Sequence, residues 1–200
     1  TSVQAIDVNN DGAVDLIVGN VNEPNQIYLG DPAQRGTFGS EPLAFGPATD
    51  VTTDVEVADV DGDGAADIIV ANDGQPNRVY FGIPFATSPP YGTDPSREVT
   101  IGTGTDATTS VTAGHLNGDG WLDIVFGNSG TPDLIFLGRH WAFVSLPKAA
   151  SWTQLPGTEG TDSADVAIGD VTGDGSADII VGIDGGVNLL FLGSASGDFG

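Results

Sequence analysis

The stretch "AIDVNNDGAVDLIVGN" at residues 5–20 returns as "VADVDGDGAADIIVAN" (57–72), "AGHLNGDGWLDIVFGN" (113–128) and "IGDVTGDGSADIIVGI" (168–183). The closing aspartate of its loop falls at Asp15, Asp67, Asp123 and Asp178, at spacings of 52, 56 and 55 residues. The likeness runs on into "PNQIYLG" (24–30), "PNRVYFG" (76–82), "PDLIFLG" (132–138) and "VNLLFLG" (187–193). A chain that repeats one unit in phase builds one small structure several times and buries each copy against the next. Repeats over 1–52, 53–108, 109–163 and 164–200 of a single domain, or of a segment of one, are expected.

Within each unit the apolar runs are short, rich in β-branched residues and bounded by Gly, Pro, Asn and Asp, as strands are. A first strand is expected at Val3–Ile6, Val55–Ala58, Val111–Gly114 and Val166–Gly169. The second follows the acidic loop at Asp15–Gly19, Asp67–Ala71, Asp123–Gly127 and Asp178–Gly182. Its core ("DLIV", "DIIV", "DIVF", "DIIV") is nearly continuous apolar sequence, which implies burial on both faces. The third lies at Gln26–Leu29, Arg78–Phe81, Leu134–Leu137 and Leu189–Leu192, and an irregular fourth within 41–46, 97–102 and 142–155. No helical periodicity persists. A four-stranded antiparallel meander repeated every 50-odd residues describes the blade of an all-β propeller. The closing "GDFG" (197–200) matches "GTFG" (36–39), which precedes a fourth strand, so the last blade is expected to be incomplete. The sequence is then a segment of a larger propeller, or the missing strand comes from a neighbouring molecule.

The loop reads D-x-[D/N]-x-D-G-x-x-D, and "DVDGDGAAD" (59–67) crowds four carboxylates into nine residues. Two carboxylates ~4 Å apart repel by about 4 kcal/mol at an effective dielectric near 20, so a cation is expected among them. Calcium takes six to eight oxygen ligands, which alternating positions of such a loop supply. The first loop offers Asp7, Asn9, Asp11 and Asp15, and the second Asp59, Asp61, Asp63 and Asp67. The third offers Asn117, Asp119 and Asp123, and the fourth Asp170, Thr172, Asp174 and Asp178. The seventh-position carbonyl (Ala13, Ala65, Trp121, Ser176) is a further ligand in each. His115 replaces the first aspartate of the third loop, and calcium's preference for hard oxygen argues against its ligation. Up to four calcium ions are expected, the third site being the doubtful one. The loop is not an EF-hand, which closes on a Glu at position twelve between helices.

Five Lys and Arg against 28 Asp and Glu give a net charge of −23, which excludes nucleic acid and anionic membrane surfaces as default partners. Cysteine is absent, so disulfides and thiolate metal sites are excluded. No apolar run reaches the ~20 residues of a membrane-spanning helix. For catalysis there are two histidines, His115 and His140, and no G-x-S-x-G nucleophile elbow. All three tryptophans belong to the third unit, and Trp121, His140 and Trp141 form a candidate ligand-binding group, since an exposed aromatic beside amides stacks on a sugar ring.

The D-x-D-x-D-G-x-x-D loop leading into "DIIVAN", with a later "FG", resembles the FG-GAP/VCBS repeats of integrin-α-like β-propellers. The resemblance covers all four units. It implies blades around a central axis, calcium in the loop between strands one and two, and a place outside the cell or at its surface, in adhesion, matrix or lectin-like proteins. The function expected is a non-catalytic, calcium-stabilised scaffold with an extracellular protein or glycan as partner. A homo-oligomer or filament through an open blade edge is one form of it. A lectin-like carbohydrate-binding module is the alternative, ahead of a domain of a secreted enzyme.

Overall fold

Each repeat folds as its alternation of apolar and polar residues dictates, into a small antiparallel meander. The computed structural model describes residues 2–84, 86, 91–102, 104–138, 152–194 and 196–199. The first sheet comprises β1 (Ser2–Ile6), β2 (Asp15–Gly19), β3 (Asn25–Tyr28) and β4 (Leu43–Phe45). The second comprises β5 (Thr52–Ala58), β6 (Asp67–Asn72), β7 (Asn77–Tyr80) and β8 (Glu98–Ile101). The third comprises β9 (Ala107–Gly114), β10 (Asp123–Ser129), β11 (Leu134–Phe136) and β12 (Trp152–Gln154), and the fourth β13 (Ser163–Gly169), β14 (Asp178–Ile183) and β15 (Leu189–Phe191). Strands follow one another in sequence order within every sheet, all antiparallel. The one helical turn among the described residues is 3-10, at Pro95–Arg97. The chain is therefore all-β, built of four blade-like sheets. Of the segment expected to hold the third unit's fourth strand, residues 139–151 lie outside the described residues, and His140 and Trp141 with them.

Three first strands begin earlier than hydropathy suggests, at Thr52, Ala107 and Ser163. The added residues are polar and look like loop, but their hydroxyls stitch one sheet to the next. Thr53 Oγ1 donates to Ala71 O (3.1 Å) and, across the junction, to Thr108 O (2.8 Å). Thr109 Oγ1 donates to Gly127 O (3.0 Å) and to Ser163 O (2.5 Å). The extension costs each sheet a bulge, at Thr52/Asp54, Gly127/Asn128 and Ser163/Asp165.

First strands lie side by side from sheet to sheet, β1 by β5, β5 by β9 and β9 by β13. A polar belt joins them. Ser2 Oγ donates to Asp54 Oδ1 (2.7 Å), the Val111 N–H donates to Asp54 Oδ2 (3.0 Å), and Ser110 Oγ donates to Asp165 Oδ1 (2.8 Å).

Consecutive sheets enclose three apolar cores. Ile17, Ile27 and Phe45 of the first sheet pack on Val55, Ile68, Val70 and Tyr80 of the second, with Phe45 edge-on to Tyr80. Ile69, Val79 and Ile101 meet Val111, Ile124, Phe126 and Phe136. Val125, Ile135 and Leu155 meet Val166, Ile179, Val181 and Phe191. Each fully buried side chain of this size contributes about 1.5–3 kcal/mol, so the junctions carry most of the stabilisation. Burial on both faces holds throughout β6 and nearly so in β10. It fails in β2 and β14, where half-buried positions alternate or cluster, because among the described residues the first and fourth sheets have a neighbouring sheet on one face only.

Candidate metal centre

A glycine at the sixth loop position turns the chain back on itself. Gly12, Gly64, Gly120 and Gly175 all have φ between 84° and 90°, a conformation that side chains resist. In the second loop Asp59 accepts the N–H of Asp63 on Oδ1 (3.0 Å) and of Gly64 on Oδ2 (2.9 Å). Asp61 Oδ1 accepts from Asp63 N (3.1 Å), and Asp63 Oδ1 from Ala65 N (2.8 Å). Oxygens of Asp59, Asp61 and Asp67 thereby come within 4.8 Å of one another, the one such group of three among the described residues. An ionised carboxylate has about four lone-pair sites, so holding backbone N–H groups leaves capacity for a cation. All donors are hard oxygens, which fits calcium.

The loop carboxylates differ in how far burial and neighbouring charge oppose their ionisation. Burial, reinforced by the charge of Asp63, pushes Asp61 up to about 6. Burial pushes Asp67 up to about 7 despite the N–H groups of Gly82 and Val60. Burial likewise raises Asp15 and Asp123. Asp170 is the opposite case: fully exposed, it is held low by the N–H groups of Gly175, Gly173 and Asp174.

The closing aspartate has a second task that its motif does not announce. Asp15, Asp67, Asp123 and Asp178 are wholly buried. Each accepts one N–H from loop position two (Val8, Val60, Leu116, Val171) and one from a glycine fifteen residues on (Gly30, Gly82, Gly138, Gly193), at 2.6–2.9 Å. That glycine admits no side chain: a Cβ on Gly82 would lie 2.3 Å from Ala66 O, and one on Gly193 1.8 Å from Ala177 O. The "FG" or "LG" glycine thus clamps the loop to the end of the third strand. Its recurrence at one spacing from the aspartate was the signal available in the sequence.

The four loops differ. The first repeats the second's bonding through Asp7 and Asp11, with Asn9 Nδ2 donating to Asp11 Oδ2 (3.0 Å). In the fourth, Thr172 Oγ1 donates to Asp170 Oδ1 (3.4 Å), and Asp174 accepts from Ser176 N. In the third, His115 Nδ1 lies 2.7 Å from Trp121 O, the seventh-position carbonyl. As the carbonyl accepts, the imidazole donates, and it engages the oxygen expected from the sequence to be this loop's seventh-position ligand. Asn117 and Asp119 accept from the local N–H groups of Asp119 and Trp121. An open depression of about 370 Å³ lies here, lined by Asn117, Gly118, Asp119 and Ser196.

Trp121 is not the free stacking platform that its place in an acidic loop suggests. It is half-buried, and its ring covers Gly62 of the second loop, where a Cβ would lie 2.9 Å from Cζ3. One acidic loop is roofed by the aromatic of the next.

The sequence matches the FG-GAP-like repeat three times, over residues 7–70, 59–126 and 116–181. A comparison with curated proteins finds no match. Among solved structures, BBS1N in its complex with ARL6DN aligns with a TM-score of 0.58 at 15% identity, covering 99% of this chain and 54% of that one. The Vibrio cholerae biofilm matrix protein Bap1 aligns at 0.51 and 19% identity, covering 90% of this chain and 23% of that one. The chain thus spans about half the length of the first and under a quarter of the second, and at these identities the likeness is one of fold.

Proposed function

This chain belongs to the FG-GAP-like repeat family, and from that premise we propose that it is a non-catalytic, calcium-stabilised β-propeller scaffold working outside the cell in adhesion, matrix or surface assembly. The observation that carries the reading is the convergence of Asp59, Asp61 and Asp67, held by backbone N–H groups in a repeated loop. Bound calcium would supply charge neutralisation and nothing else. The chain's own residues do the rest. Asp59 and Asp61, with Asp63 and the Ala65 carbonyl, hold the ion, and Asp67 ties it through Gly82 to the third strand. The ligands in the first loop are Asp7, Asn9, Asp11, Ala13 O and Asp15, and in the fourth Asp170, Thr172, Asp174, Ser176 O and Asp178. In the third, Asn117, Asp119, Trp121 O and Asp123 are left with His115 lying against one of them, and this loop binds weakly or not at all.

Likeness in fold to a matrix protein and to a chain solved with a protein partner supports a binding surface for protein. The half-burial of Trp121 against Gly62 leaves less of its ring for the lectin-like alternative. Calorimetric titration of calcium tests the reading: two or three strong sites are expected, and one that is weak or silent. An independent site saturated ~100-fold above its dissociation constant adds about 2.7 kcal/mol, and 1 kcal/mol is worth roughly 2–4 °C in a domain this size. Chelation with EDTA should therefore lower the melting temperature by about 10 °C or more. An unchanged melting temperature refutes the calcium reading.

A further inference from the structure

Two departures from the repeat meet in one contact. Where the other loops carry Asp7, Asp59 and Asp170 in first place, the third has His115. Where they carry Ala13, Ala65 and Ser176 in seventh place, it has Trp121. His115 Nδ1 donates to the Trp121 carbonyl (2.7 Å), and Asp119 Oδ1 accepts the Trp121 N–H (2.9 Å). A Cβ on Gly138 would lie 3.1 Å from the Trp121 Cβ, so the base of the side chain is seated as well. Residue 121 is thereby held on both sides of its Cα, and its ring reaches out of its own loop to the second.

The benzenoid edge of that ring rests on Gly62: a Cβ there would lie 2.9 Å from Cζ3 and 3.7 Å from Cε3 and Cη2. The turn alone does not demand glycine at this place, because Asn10 holds the same position of the first loop at φ 57°, against 71° for Gly62. The ring does demand it, since it takes the space that a side chain would fill. Gly62 stands between Asp61 and Asp63, two of the oxygen donors proposed for calcium in the second loop. Asp63 is half-buried, while its counterparts Asp11, Asp119 and Asp174 are exposed. Alanine and serine at the seventh position of the other loops are too short to reach a neighbouring loop in this way. Gly62 keeps an open side, so the ring is a wall of the site and leaves the ion a way in.

We propose that the third loop serves the second: Trp121 walls off water from the calcium held by Asp59, Asp61, Asp63 and Asp67, and His115 is the positioning residue that keeps Trp121 in place. Attraction between a cation and carboxylates is stronger where water is held away from them. Affinity differences between related sites appear mainly in the rate of release, so the second loop should be the slowest to give up its ion. This role rests on the calcium reading and names what sets one site apart from the others. It also gives His115 a purpose where it stands in place of a ligand.

Terbium(III), a hard oxygen-seeking ion that emits when a nearby indole absorbs, is the probe, alongside calcium itself. In the unmodified chain the most tightly held terbium should show emission sensitised by tryptophan, and Asp63→Ala, which disables the second loop, should remove it. Trp121→Leu takes away the ring and leaves the carbonyl of residue 121 in place. It should abolish most of that emission, weaken calcium at the tightest site about tenfold, and speed release into a chelator by a similar factor in stopped flow. Trp152→Phe, on β12, should leave the emission intact. His115 is exposed, so His115→Ala retains the fold. It should weaken the tightest site about threefold and open tryptophan fluorescence to quenching by acrylamide. A merely structural part for Trp121 would weaken every site alike, whereas a wall acts on the second alone. Equal weakening of all sites in Trp121→Leu overturns the proposal, as does emission or a release rate that the substitution leaves unchanged, and in each case the calcium reading stands. Unchanged affinity in His115→Ala overturns the part given to the histidine. An unmodified chain that binds neither ion in calorimetry overturns both readings together.

Discussion

Replacing Asp67 by alanine separates the two tasks of the closing aspartate. The side chain is wholly buried, and its two oxygens accept from Val60 N and Gly82 N, both at 2.8 Å. Removing it orphans two buried N–H groups, at about 1–3 kcal/mol each. Against this, the alanine is spared the burial cost that pushes Asp67 up to about 7, so a net loss of about 2–4 kcal/mol is expected. That loss should appear in full without calcium. Asp63→Ala is the control, since Asp63 is only half-buried and accepts from Ala65 N inside one turn. Its cost in EDTA should be about 0.5–1.5 kcal/mol, while in saturating calcium it should forfeit up to about 2.7 kcal/mol more. Urea unfolding followed by tryptophan fluorescence, with and without EDTA, measures both. The clamp is refuted if Asp67→Ala lies within about 0.5 kcal/mol of wild type in EDTA, or if Asp63→Ala costs as much there.

Gly82→Ala should destabilise by at least about 1–3 kcal/mol in calcium and in EDTA alike, because its Cβ would press on Ala66 O and force the backbone to move; a wild-type urea midpoint contradicts this. His115→Asp should free the Trp121 carbonyl and give the third loop a first-position carboxylate, adding one calcium equivalent in a titration, and unchanged stoichiometry would show that the histidine is not what blocks it. Asp61 at about 6, Asp67 at about 7 and Glu56 at about 7 are all raised above their ordinary values, chiefly by burial. Groups raised on folding favour the native state when protonated, and that contribution is lost as pH climbs through about 6–7. In EDTA the melting temperature should rise as pH falls from about 8 to about 5.5, while the calcium increment shrinks as protons compete for the carboxylates. A flat profile in EDTA, read by differential scanning fluorimetry, counts against the buried-carboxylate account.

Much was legible in the sequence because the repeat is local. A second strand starting on each closing aspartate and the turn at Gly64 follow from a dozen contiguous residues, and the structure shows both; in the second loop it also brings Asp59, Asp61 and Asp67 together. The family was legible for the same reason. Where the reading went astray, the deciding contact was remote. Thr53 and Thr109 look like loop by hydropathy and become strand through carbonyls on the next sheet. Trp121 looks exposed in its own loop and is half-buried, its ring lying over Gly62 of another.

The sequence by itself determined the unit: four short meanders, each with an oxygen-rich loop whose carboxylates repel unless a cation sits among them. Only the tertiary structure decided what surrounds each unit. Ile27, Val79, Ile135 and Leu190 are interchangeable in pattern, yet three are core and the fourth is surface. Backbone turns and hydrogen bonds between near neighbours are set by local chemistry. Burial depends on whether another sheet stands opposite, and a residue's own neighbours in the chain do not decide that.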